Sequence, residues 1–228
     1  DPVNLLFHNL APPVAHFLTR SFSNKTGEFD TTLKSCEDWD YWIRVAKMGG
    51  EIHTISEVIC GYRYLPSSMS RNPFSMYKAL SEVSKRAFEK DNRLPESSLF
   101  NEAKEIDRAE IQKKNLIRAI GILIQQGKPN DAATWYYEES SKWNWLILKK
   151  DWSELSSPLS WKYFLGKGEI EDVFKNVVPN LEQFFTSLKY SKAEAKEIIR
   201  EIIRPQRFRL NHYRYGKWVG GLLNRLNR

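Results

Sequence analysis

The stretch CEDWDYWIRVAKMGG, residues 36–50, constrains the fold more than any other. Trp39, Trp42, Ile43 and Ala46 recur at i, i+3, i+4 and i+7, which is one face of an α-helix. Gly49 and Gly50 supply its stop. A helix with so apolar a face needs a covering partner, and the chain has the rings to build one. Eight Trp, ten Tyr and twelve Phe predict an interior rich in aromatic side chains.

Around this helix the text alternates. VAHFLTRSF, residues 14–22, reads as a strand, and EIHTISEVICGYRY, residues 51–64, has strand composition in its Ile, Val and Tyr. LPSSMSRNP is a loop by its Pro and Ser content, and a helix is expected from about residue 74 to 90. This is α/β text, too short to close a sheet. From about Leu94 the character changes. DNRLPESS reads as a linker. Helical patterns follow over 102–126, stopped by GKP; 130–142, begun by Asn130; 170–189; and 192–204. The last opens on the capping-box pattern Ser191-x-x-Glu194 and closes at Pro205. The aromatic-rich connection 143–164 is expected to pack these helices together, and no repeat of fixed period accompanies them. Three segments result: 1–95, 96–204 and a tail, 205–228.

Charge separates the tail from the rest. The chain carries 35 basic and 28 acidic residues, a net charge of +7. Arg204, Arg207, Arg209, Arg214, Lys217, Arg225 and Arg228 supply that excess without one acid among them. The body is therefore neutral, which argues against nucleic-acid binding and for a single cationic surface element. Tyr215, Trp218, Val219, Leu222, Leu223 and Leu226 form an apolar stripe on that element, suited either to an anionic membrane surface or to docking on the helical segment. Cys36 and Cys60 make neither a disulfide framework nor a metal spacing, so a reducing compartment is expected. No apolar run reaches membrane-spanning length. The opening residues, DPVNLLFHNLAPPV, read as the middle of a longer protein.

SCEDWD, residues 35–40, is the candidate site. Ser35 and Asp38 fit an S-x-x-D helix start, and acids in a first turn complement the helix dipole. Asp38-Trp39-Asp40 also spells D-x-D, the pattern that holds a divalent metal against a nucleotide diphosphate. Within a helix, residues two apart diverge, so the metal reading fails on geometry.

GEFDTTLKSCEDWDYWIRVAKMGGEIHTISEVICGYRYLPSSMSRN closely resembles the C-terminal half of the family 2 glycosyltransferases, inverting enzymes of the GT-A fold. Gly27, Phe29 and Asp30 match a G-x-F-D turn; Glu37, Asp38 and Arg44 match an E-D motif with a following Arg. Tyr62, Arg63 and the run Ser68-Met69-Ser70-Arg71-Asn72 match a Y-R pair and Ser-rich loop. The match covers residues 8–93, about two fifths of the chain. The resemblance implies a partial GT-A portion followed by a mainly α-helical region, with Asp38 as catalytic base and Glu37 as second candidate. It places Arg63, Arg71, Ser68 and Ser70 at the donor diphosphate, and Trp39 and Asp40 on the acceptor side. Arg44 is expected to brace the helix, and His16 and His53 to have core or surface roles.

The same resemblance implies a nucleotide sugar, a glycan or lipid-linked acceptor, and a divalent metal, Mg or Mn. That metal is expected on a nucleotide-binding half for which nothing here matches, so no metal site is expected in this chain and the chain alone is expected to be inactive. Cytoplasmic location follows, with peripheral attachment to the inner face of the cytoplasmic membrane through the tail. The rival reading is a helical interaction module, a scaffold attached to a degenerate transferase remnant.

Overall fold

A computed structural model of the chain describes residues 9, 13–53, 55–61, 65, 68–105, 107–145, 148–156 and 167–226. The chain divides into two compact units, Asp1–Gln112 and Lys113–Arg228. Among the described residues every regular element is helical, which overturns the α/β expectation.

Both expected strands fail for a physical reason. Thr19 accepts a hydrogen bond from the Phe22 amide at its side-chain oxygen and opens helix α1, Arg20–Thr26, in the middle of the first. A local cap outcompetes β-propensity there. The second, residues 51–53 and 55–61, runs as irregular chain with Ile55 and Val58 exposed, Val58 at 95%. A strand must pair its backbone groups with a neighbour, and composition cannot provide one.

The first unit is built on α2, Glu37–Lys47, the helix expected from the Trp spacing. Gly49, at φ 84°, and Gly50 end it, their amides donating to the Ala46 and Val45 carbonyls. A side chain at Gly50 would collide with Val45. Helix α3, Pro73–Phe88, begins at Asn72, whose side chain accepts from the Ser75 amide. Trp39 and Ile43 of α2 pack on Val83, Ala87 and Phe88 of α3. Tyr41, Trp42, Val45 and Ala46 pack with Leu18 and Phe22, so α2 is buried on both sides.

The second unit is a helical stack. Helix α4, Arg108–Gln125, whose part from Lys113 onward belongs to this unit, buries Leu116–Ile124 apart from the half-buried Arg118. Gly127, at φ 74°, turns the chain as GKP predicts, and α5, Pro129–Trp143, follows with Pro129 rather than Asn130 at its first position. The expected helix 170–189 appears as α6, Lys167–Asp172, a π-turn, Val173–Val177, and α7, Val178–Ser187. Pro179 explains the interruption: it has no N–H for the Lys175 carbonyl, and its ring pushes that carbonyl aside. Helix α8, Lys192–Ile202, has both hydrogen bonds of the Ser191/Glu194 capping box. Pro205 lies at the head of the next helix, α9, Arg204–Leu226. Trp152 sits at the centre, 1% exposed, with Phe184, Phe185 and Tyr136 around it at 5.2–5.8 Å and its Nε1 donating to the Tyr190 hydroxyl. The connection 143–164 therefore contributes a core ring, although its residues 146, 147 and 157–164 lie outside the described set.

Candidate functional site

The front of α2 does not use the expected S-x-x-D cap. Cys36 is the capping residue, in the left-handed conformation at φ 61°, and makes no side-chain cap bond. The Ser35 hydroxyl donates instead to the Lys34 carbonyl. Burial, with the charges of Asp38 and Glu37 adding to it, pushes the Cys36 thiol up to about 12. A thiol held neutral beside two carboxylates is a structural plug and not a nucleophile.

Asp38 is half-buried and keeps both oxygens engaged. Oδ1 accepts from the Trp39 amide at 2.7 Å, and Oδ2 from the side-chain amide of Asn9 at 2.9 Å. Each carboxylate oxygen has a second lone pair, so one more donor fits at either. Glu37 beside it is also half-buried. Asp40 points elsewhere, as residues two apart on a helix must. It is 2% exposed and surrounded by cations: Arg44 Nε at 3.2 Å, Arg86 Nη1 at 3.3 Å, and Arg93 through both Nη atoms at 2.9 and 3.1 Å. An acid whose oxygens are taken by three guanidinium groups has no coordination left for a metal. Among the described residues, no cluster of three or more His, Cys, Asp or Glu side chains has the geometry of a metal site.

The charge lattice continues outward. Asp30 binds Arg86 at 2.7 Å and Arg93 at 3.2 Å, and accepts from the Thr32 hydroxyl and amide. The Thr32 hydroxyl first, then Arg86, hold its carboxyl well below the usual range against the opposing effect of burial. Burial raises Asp91, but Arg93 at 2.7 Å outweighs it and leaves that group lowered as well. Arg44 reaches the carbonyls of Thr26 and Glu28, fastening the turn that holds Gly27, at φ 78°, to α2. Phe29 of that turn stacks on Tyr41 at 4.6 Å. Lys47 donates to the Arg86 and Glu89 carbonyls at the end of α3, where a cation complements the helix dipole. Its burial lowers its own pKa.

The G-x-F-D turn and the E-D helix are thus brought together, with Arg44 bracing both. Trp39 and Asp40 underpin the site from below. Ser68 and Ser70 bond each other at 2.9 Å ahead of α3, and Arg71 beside them is buried. Tyr62 and Arg63 lie outside the described residues. His16 stacks on Trp42 at 4.1 Å, and His53 is an exposed partner of Glu51. A cleft of about 210 Å³, lined by Asp30, Arg86 and residues 89–93, borders the lattice; another, of about 570 Å³, is lined by Phe88, Lys104, Glu105, Asp107 and Arg108.

Sequence reasoning missed Arg86, Arg93, Asp91 and Lys47. The Asp40–Arg44 and Glu82–Arg86 pairs had a local signal, their i,i+4 spacing. Comparison with known proteins finds no matching family model, no similar curated protein and no similar solved structure.

Proposed function

We propose that the chain is the acceptor-side portion of an inverting glycosyltransferase, with Asp38 as general base. One observation carries the reading. Two separate motif elements, Gly27–Asp30 and Glu37–Arg44, converge on one helix and are fastened there by Arg44, by the Phe29–Tyr41 stack and by the Asp30–Asp40–Arg86–Arg93 lattice. Such a frame fixes a carboxylate in position, which is what proton transfer during attack requires.

The acceptor hydroxyl attacks the anomeric carbon as the nucleoside diphosphate leaves from the opposite face, inverting that centre. Its proton passes to a carboxylate oxygen of Asp38. The oxygen now facing Asn9 is the one whose partner, a side-chain amide, gives way most readily to a hydroxyl. Nucleotide and metal are assigned on this reading to residues that the sequence does not contain, and Arg63, Arg71, Ser68 and Ser70 to the diphosphate.

The test is turnover of the complete protein containing this chain with a panel of nucleotide sugars. Asp38→Asn is expected to lower the rate by about 10²–10⁴-fold, the contribution of a positioned base. An undiminished rate removes the assignment. The scaffold reading is favoured by a different observation, the all-helical character of the described residues. Absence of turnover with every donor sugar supports it.

A further inference from the structure

Helix α9 is interrupted at Gly216, where φ 73° and ψ 174° are not helical, and its two arms fold back on each other. Gly220 lies against the Asn211 backbone so closely that any side chain would collide with it. Asn224 bonds the Asn211 side chain at 2.9 Å and the Phe208 carbonyl at 3.2 Å. Small and polar residues thus face inward. The apolar ones face out: Trp218 is 93% exposed and Leu226 74%, with Val219 and Leu222 more than half exposed. These four lie on one side of the arm, opposite Gly220 and Asn224. The amphipathicity is inverted relative to a helix that seals a core.

From this inverted hairpin we infer that the second arm of α9 is a docking surface for an anionic lipid bilayer. Charge identifies the occupant. From Arg204 to Leu226 there are six basic residues and no acid; Arg204 and Arg214 pair with Glu201 and Glu171, while Arg225, three residues after Leu222 and seven after Trp218, edges the stripe. Lipid phosphates complement such a surface, and an exposed Trp suits the depth where headgroups meet acyl chains. Two copies of the arm would bring like charges together. The stripe is also on the order of a few hundred Å², below the roughly 1,000 Å² that a stable protein interface clears. No helix among the described residues is long and apolar enough to cross a membrane, so the arm lies in the interface plane. The Asn211–Asn224 and Gly220 contacts hold the stripe outward before any lipid arrives, so little ordering remains to be done on binding.

Flotation of the full chain with vesicles tests this. With phosphatidylcholine and phosphatidylglycerol the chain is expected to float; with phosphatidylcholine alone, or at high salt, binding falls at least about tenfold. Trp218→Ser with Leu222→Ser abolishes flotation, and circular dichroism confirms that these exposed changes leave the helices intact. Arg225→Gln weakens binding about fivefold. Three results overturn the inference: no flotation with anionic vesicles, flotation unaffected by both variants, or a dimer in solution that Trp218→Ser dissolves. None depends on Asp38, whose substitution leaves flotation unchanged.

Discussion

In the first unit, a charge lattice reinforces the apolar packing of the central helix: Asp40 lies buried among Arg44, Arg86 and Arg93, and Lys47 closes α3 with its ammonium. In the second, the central group is an indole, Trp152, within a shell of Phe184, Phe185, Tyr136 and Tyr190. The two solutions respond differently to change. Rings pack without regard to pH or salt, and a missing one leaves a void. A buried ion lattice is directional: it holds one arrangement of loops around α2, and the loss of one member strands the others. A positioned carboxylate such as Asp38 is better served by a directional frame than by an apolar one.

The comparison breaks most readily at its two centres. Asp40→Ala should cost about 3–5 kcal/mol, because the buried Arg44 guanidinium loses its carboxylate partner, while Arg86 and Arg93 keep Asp30 and Asp91. Trp152→Ala should cost a similar 3–5 kcal/mol through cavity formation. Hydrogen exchange read separately over Glu37–Lys47 and Val178–Ser187 locates each loss. A result in which Asp40→Ala behaves like a surface change would mean the lattice is incidental.

Acid sharpens the contrast. Asp30 and Asp91 both have lowered pKa values in the folded chain. Such groups stabilise above the unfolded value of about 4, and that contribution drains away as pH falls below it. Exchange over Glu37–Lys47 should therefore accelerate below about pH 4 before exchange over Val178–Ser187 does. Asp30→Asn should flatten part of that dependence.

Gly127→Ala is a smaller perturbation confined to the second unit. Open space surrounds the position, so the cost is that of the φ 74° backbone alone, about 1 kcal/mol, visible as a modest shift in the denaturation midpoint. The smallest effect expected is at Cys36. With its thiol pushed up to about 12, it should resist alkylation in the native protein at pH 8 and react only on unfolding. Rapid native labelling would show that the front of α2 is looser than the lattice implies.

Legibility in the sequence follows the same division. The second unit could be read because its signals are local: Gly127 as a stop and Ser191 with Glu194 as a cap each lie within a few residues of what they control. The first unit defeated the same approach. Residues 51–61 have the composition of a strand but no partner to pair with, and Thr19 caps a helix inside a segment of β-prone residues. At the candidate site, the place of Glu37 and Asp38 in the first turn of α2 was legible because helix position is local, and Arg44 braces the helix as expected. Ser35 was misread because its hydroxyl turned to Lys34 and left Cys36 at the cap.

The sequence by itself determined the helix of the two tryptophans, the stops and caps that bound the later helices, and a cationic tail with an apolar stripe. Those follow from spacing and backbone preference within a turn or two. Only the tertiary structure decided that Asp40 meets Arg93 across 53 residues, that Asp30 meets Arg86 across 56, and that Trp218 faces outward while Asn224 faces in. Which distant groups become neighbours depends on the packing of whole elements, and no short window of sequence contains that information.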